Sequence, residues 1–149
     1  MTGLRELYQE VIIDHSKRPR NYGALTDANH EKEGFNPLCG DRLTVYVREE
    51  NKTLTEIHFV GCGCAISVAS ASLMTEVLRG KTTTEAIAIF TAFHTLVTQG
   101  QDPEAENTLG KLAVLAGVAE YPARVKCATL AWHTLKAALD DANGTVSTE

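Results

Sequence analysis

Within four residues, Gly61-Cys62-Gly63-Cys64, this sequence changes its hydrophobic period from that of a strand to that of a helix. Before them, Thr55, Ile57 and Phe59 alternate with other residues, so Thr55 to Val60 reads as a strand. After them, Ile66, Ala69, Leu73 and Val77 share one stripe of a helix from about Ala65 to Arg79. Arg79 in its last turn and Gly80 beyond form a stop signal. The glycines beside Cys62 allow a sharp turn over 61–63 and keep other side chains away from the sulfurs. Both cysteines are expected where a helix begins, beside unpaired backbone N–H groups and the positive end of the dipole. That setting favours the thiolate, the form that binds metal or attacks sulfur.

The remaining elements follow from spacing. Leu4, Leu7, Tyr8, Val11 and Ile12 predict an amphipathic helix over 3–15, ended by Pro19. Lys17 to Gly23 is basic and irregular, a solvated turn or a docking patch for a partner. Residues 26–34 read as a polar loop, with room for a short edge strand before Pro37. Leu43, Val45 and Val47 alternate with Arg42, Thr44, Tyr46 and Arg48, a second strand with one buried face. Glu49 to Lys52 is a polar turn, so the two strands form an antiparallel hairpin. Asp41 and Gly61 then lie at the same end of the sheet, which brings Cys39 and Asp41 towards Cys62 and Cys64. The second helix has an Ala/Ser-rich side, expected to be exposed and to let a neighbour approach closely.

Thr82 and Glu85 form a capping box for a helix over 83–99, with Ile87, Phe90 and Leu96/Val97 facing inward and Gly100 ending it. Asp102-Pro103 opens a short helix. Leu112, Leu115 and Val118 mark another helical piece, and Pro122 opens a final helix to about 141 with Val125, Ala128, Trp132, Leu135 and Leu139 inward. The class is α+β, a small antiparallel sheet with helices packed on it. Residues 1–142 are expected to form a single domain and 143–149 a flexible tail.

The chain has 149 residues and a net charge of −5, so broad nucleic-acid binding is not expected. No apolar run is long enough to span a membrane. The acidic, amphipathic N-terminus reads as neither a secretory signal nor a transit peptide, so a cytoplasmic location is expected. There the four cysteines point to metal or thiol chemistry rather than disulfides.

Cys39 and Asp41 are separated by one glycine, so both side chains can point to one centre. Cys127 lies near the start of the last helix, beside Lys126 and three residues after Arg124, where basic neighbours favour its thiolate. A lone cysteine in an Ala-rich helix is more often a small buried apolar residue, but Cys127 lies off the Val125/Ala128/Trp132 stripe. Three thiolates and a carboxylate make a candidate tetrahedral zinc site, with the carboxylate the most exchangeable donor. His15, His30, His58, His94 and His133 are scattered and none is assigned to the metal; His15 sits where a helix end favours positive charge.

Asp14 to Gly23 (DHSKRPRNYG), Cys39-Gly40-Asp41, Gly61-x-Gly63-Cys64-x-Ile66-Ser67 and Arg124-Val125-Lys126-Cys127-Ala128-Thr129-Leu130-Ala131-Trp132 together resemble the IscU/NifU N-terminal family of iron–sulfur assembly proteins. Lys126 stands where scaffold members carry a histidine. Tyr121-Pro122-Ala123-Arg124-Val125-Lys126 replaces their Leu-Pro-Pro-Val-Lys chaperone segment. Extra residues lie around 98–117. These departures are similar to the SufU-type branch.

The resemblance implies an IscU/SufE-like fold and zinc on Cys39, Asp41, Cys64 and Cys127. It also implies relay of persulfide sulfur from a cysteine desulfurase of SufS type to downstream assembly proteins. Any enzymatic role would be at most that of a sulfurtransferase. Cys62 departs from the family pattern, as a spare ligand or an extra thiol. Cys39 is the expected sulfur acceptor, because its glycine loop lets it swing out more cheaply than cysteines on helices. Three alternatives remain: a scaffold for a transient [2Fe–2S] cluster on the same residues, a structural zinc module, or a dithiol redox enzyme using Cys62 and Cys64. The last lacks the Cys-x-x-Cys spacing.

Overall fold

A computed structural model describes residues 2–37, 39–100, 109–140 and 146–147. Helix α1 (Thr2–Lys17) precedes strands β1 (His30–Asn36), β2 (Asp41–Glu50) and β3 (Thr53–Cys62). Helices α2 (Ala65–Leu78) and α3 (Thr83–Gln99) follow, then a 3-10 helix (Gly110–Glu120), helix α4 (Pro122–Leu139) and strand β4 (Val146–Ser147). The class is α+β, as expected. Among the described residues no helix is long and apolar enough to cross a membrane.

The strands form one sheet in the order β3-β2-β1-β4, antiparallel except for the short parallel pairing of β4 with β1. Asn51 and Lys52 both have positive φ, as a two-residue hairpin that matches strand twist requires. Asp41, Leu43, Val45 and Val47 face inward on β2, opposite Ile57 and Phe59 on β3. Helix α2 packs on β3, and α4 on β1 and β2. Trp132 of α4 is buried and stacks on Phe93 of α3 at 4.5 Å between ring centroids.

Several expectations change. The expected loop over 26–34 with a short edge strand after it is instead a full strand from 30 to 36: Gly34 and Asn36 are buried, while Glu31 is exposed and Lys32 and Glu33 are half-buried before them. Within the expected tail, Val146 and Ser147 pair with Gly34 and Phe35. Strand β3 continues through Cys62, paired with Arg42, so the turn into α2 is shorter than 61–63. The Ala/Ser side of α2 is buried, not exposed: Ser67, Ala69, Ser70, Ala71, Ser72 and Thr75 are all inside. Small side chains let α1 and α4 close on this helix, and the hydroxyls of Ser70, Ser72 and Thr75 find partners, whereas Ser67 Oγ is buried without one among the described residues. Ser72 Oγ meets His15 Nδ1 at 2.7 Å and accepts the Arg20 N–H at 2.8 Å.

The Lys17–Gly23 segment is also more than a solvated turn. Asn21 Nδ2 donates to Thr75 Oγ1 at 3.0 Å, and Tyr22 O–H donates to Gly61 O at 2.8 Å. The capping box holds, with Glu85 N–H on Thr82 Oγ1 at 3.1 Å and Thr82 N–H on Glu85 Oε1 at 3.0 Å. The inward stripe of α3 is nevertheless Ala86, Ile89, Phe93 and Leu96/Val97, with Ile87 and Phe90 only half-buried. Phe90 instead packs at the rim against His133 of α4, at 5.2 Å. The helix expected at Asp102-Pro103 lies outside the described residues.

Candidate metal centre

The site forms at one end of the sheet, where two chain reversals meet a helix. The first reversal joins β1 to β2. Asn36 and Asp41 are register partners, and the Gly40 N–H donates to Asn36 O at 2.9 Å. Gly40 takes φ 72°, a left-handed conformation open to glycine at little cost. The turn leaves Cys39 exposed and Asp41 fully buried.

The second reversal leads from β3 into α2. Cys64 is the N-cap of α2, and its sulfur accepts the Ser67 N–H at 3.4 Å. Sulfur thus takes the place of the usual capping oxygen. The Cys64 N–H donates to Asp41 Oδ1 at 2.8 Å. Gly63 is required between the two cysteines, since a Cβ there would run into that same Asp41 oxygen. Cys62 is exposed at the end of β3 and stands outside the clustered donors.

The third support is α4, opened by Pro122 after the exposed Tyr121. Cys127 is only 1% exposed, and its sulfur lies 3.2 Å from Cys39 Sγ. Asn36 Nδ2, wholly buried, lies 3.1 Å from Asp41 Oδ2 and 3.5 Å from Cys127 Sγ. One donor atom each from Cys39, Asp41 and Cys127 lies within 4.8 Å of the others. The Cys64 sulfur does not share that cluster, though it borders it through Cys127.

The thiols differ electrostatically. A hydrogen bond from Cys127 is the main influence that lowers Cys64, assisted by the Ser67 N–H, to about 7 against the opposing effect of burial. Cys127 moves the other way: its bond to Cys64 and then its burial keep it protonated. The structure therefore brings together soft sulfur donors and one hard oxygen, a set suited to zinc and similar divalent ions. In a tetrahedral zinc site sulfur neighbours stand about 3.8 Å apart, so the Cys39–Cys127 spacing needs only small adjustment, while the Cys64 sulfur has to move in from outside the cluster.

Sequence reasoning passed over Asn36. It lies just beyond the expected 26–34 loop, where the sequence allows a short edge strand, and its one signal is an asparagine directly before Pro37, three residues from the Cys-Gly-Asp triplet. Among the described residues no histidine joins the donor cluster. His15, placed by expectation at a charged helix end, is buried between α1 and α2, with Nε2 3.7 Å from Glu76. Arg124 lies exposed near the site, its guanidinium 4.6 Å over the Tyr121 ring.

Comparison with known proteins gives the family. Residues 7–128 match the NifU-like N-terminal domain. The chain is 43% identical to the iron–sulfur cluster assembly scaffold protein IscU of Streptococcus pyogenes serotype M1, over 93% of this chain and 86% of that protein. It is 40% identical to the zinc-dependent sulfurtransferase SufU of Bacillus subtilis strain 168, over 89% of each. A crystal structure from Fervidobacterium islandicum AW-1, described as an iron–sulfur cluster assembly scaffold for the SUF system, superposes with a TM-score of 0.82. It is 37% identical, over 91% of this chain and 98% of that one.

Proposed function

The chain belongs to the family of NifU-like N-terminal domains, and on that premise we propose that it accepts persulfide sulfur from a cysteine desulfurase of SufS type and passes it to iron–sulfur assembly proteins. Zinc is held by Cys39, Asp41, Cys64 and Cys127. The observation that carries this reading is the contrast between an exposed Cys39 and its buried neighbour Cys127, with sulfurs 3.2 Å apart. One thiol can reach a partner while the other stays fixed.

The donor set suits the metal: Cys39 and Cys127 give sulfur and Asp41 gives oxygen in one cluster, with Cys64 at its border. Bound there, zinc keeps its thiol ligands deprotonated. Before metal binds, the Cys127 thiol and the Ser67 N–H lower Cys64 to about 7. In the transfer step the Cys39 thiolate attacks the outer sulfur of the desulfurase persulfide. A sulfur–sulfur bond forms at Cys39, the one on the desulfurase breaks, and its cysteine leaves as thiolate. No outside oxidant or reductant is consumed. Arg18, Arg20 and Arg124 supply positive charge for an acidic partner surface; Arg20 also pairs with Asp14 at 2.6 Å.

A second reading, a scaffold for a [2Fe–2S] cluster on the same residues, is supported by the likeness to the Streptococcus IscU. Metal and sulfide content of protein purified without added metal separates the two. About one zinc per chain, with neither iron nor sulfide, supports the relay; iron with matching sulfide overturns it in favour of the scaffold. Asp41→Ala should then weaken zinc retention and alter desulfurase stimulation more than folding. Unchanged zinc affinity and stimulation would remove Asp41 from the centre.

A further inference from the structure

We propose that Asn36 is a positioning residue of the candidate metal centre, its side-chain amide holding the Asp41 carboxylate and the Cys127 sulfur in place. The inference rests on the zinc reading above. Asn36 is the last residue of β1 and wholly buried. A buried amide is costly unless its hydrogen bonds are made, so a position that only filled space would favour an apolar side chain. Its Nδ2 lies 3.1 Å from Asp41 Oδ2 on β2 and 3.5 Å from Cys127 Sγ on α4. The two hydrogens of one amide thus reach candidate donors on two separate elements.

Asp41 is held from both sides. Asn36 takes Oδ2, and the Cys64 N–H takes Oδ1 at 2.8 Å. The backbone of Asn36 also helps close the Cys39 turn, accepting the Gly40 N–H at 2.9 Å. One residue therefore touches the supports of Cys39, Asp41 and Cys127 together.

The chemistry favours an amide here. Ionised thiols and carboxylates are acceptors only, so what surrounds them must donate. Lysine or arginine would donate but bring a charge that competes with the metal. Aspartate would add another acceptor beside Asp41. Asparagine offers two N–H donors and no charge, and such outer partners orient ligands and tune their affinity.

The test uses the full chain loaded with Co2+ or Zn2+, comparing wild type, Asn36→Ala and Asn36→Asp. Affinity is measured by chelator competition, and the visible Co2+ bands are recorded at full occupancy. Both variants should bind roughly 10–100-fold more weakly, with Asn36→Asp at least as impaired as Asn36→Ala. Their Co2+ bands should shift, whereas Leu112→Ala, a core variant on the 3-10 helix outside the donor cluster, should lower the melting temperature and leave the bands alone. Asn36→Asp keeps the side-chain shape and decides the question if Asn36→Ala does not fold. Wild-type affinity and spectrum in Asn36→Asp would overturn the inference and leave the zinc reading intact. A wild-type chain that binds neither metal would overturn both.

Discussion

Cys39 and Cys127 put their sulfurs 3.2 Å apart, yet the chain supports them in opposite ways. Cys127 is built into the core. Its helix carries Trp132, whose Nε1–H donates to Ser70 Oγ at 3.1 Å, and Ser70 in turn donates to Ala128 O at 2.5 Å, next to Cys127. Cys39 sits on an exposed turn between two strands, tied down by the Gly40–Asn36 bond behind it. One half of the centre therefore shares the stability of the fold, and the other can move without breaking it. Damage to the core should reach the site through Cys127, while changes at Cys39 should alter chemistry alone.

The largest effect expected is at the anchored half. Trp132→Ala should cost about 3–5 kcal/mol in urea unfolding, and metal-free protein should then alkylate at Cys127 far faster. A Cys127 that stayed unreactive in this variant would break the link between core and site. Gly63→Ala comes next, at about 1–3 kcal/mol, because its Cβ must displace the Asp41 carboxylate. Zinc affinity should fall with it. A variant with wild-type stability and affinity would show that the Gly63–Asp41 contact is unimportant.

His133 offers a smaller probe of the anchored half, on α4 but away from the cysteines. Burial first, then the positive charges of His94 and Lys136, hold it below the ordinary histidine range. The folded state thus favours the neutral ring. That contribution is fully present above roughly pH 6.5, the unfolded value, and is lost as pH falls through the folded value. His133→Gln should flatten this part of the stability profile; an unchanged slope between pH 7 and 5 would assign the dependence to other groups. The smallest effect belongs to the mobile half: Cys39→Ala should change metal-free stability by no more than about 0.5 kcal/mol. A larger loss would mean that Cys39 is anchored like Cys127.

The periods of β2 and β3 could be read because their apolar residues face one core, whereas on α3 apolar residues on several faces hid the stripe of Ala86, Ile89 and Phe93. Hairpin topology alone predicts that Cys39 and Asp41 approach Cys62 and Cys64; the Cys64 N–H does reach Asp41, while the Cys62 and Cys64 sulfurs stay outside the donor cluster. Where spacing failed, a polar residue was buried for a partner far along the chain. Ser70 and Ser72 look like a solvent face until Trp132 and His15 are placed against them. Asn36 looks like the polar end of a short edge strand until Asp41 and Cys127 claim its amide. Cys62, one residue from Gly63, was expected at the helix start, but β3 pairing with Arg42 holds it outside the cluster. Such contacts depend on tertiary packing, which local pattern does not encode.

The sulfur acceptor itself gives the most direct test. Wild-type, Cys39→Ser and Cys62→Ser chains are incubated with desulfurase and cysteine, and trapped persulfides are mapped by mass spectrometry. The account predicts that Cys62→Ser keeps the added sulfur, at Cys39, and that Cys39→Ser loses it. Sulfur retained in Cys39→Ser and lost in Cys62→Ser would contradict it, placing the chemistry on the exposed cysteine at the end of β3 and leaving the metal centre a structural one.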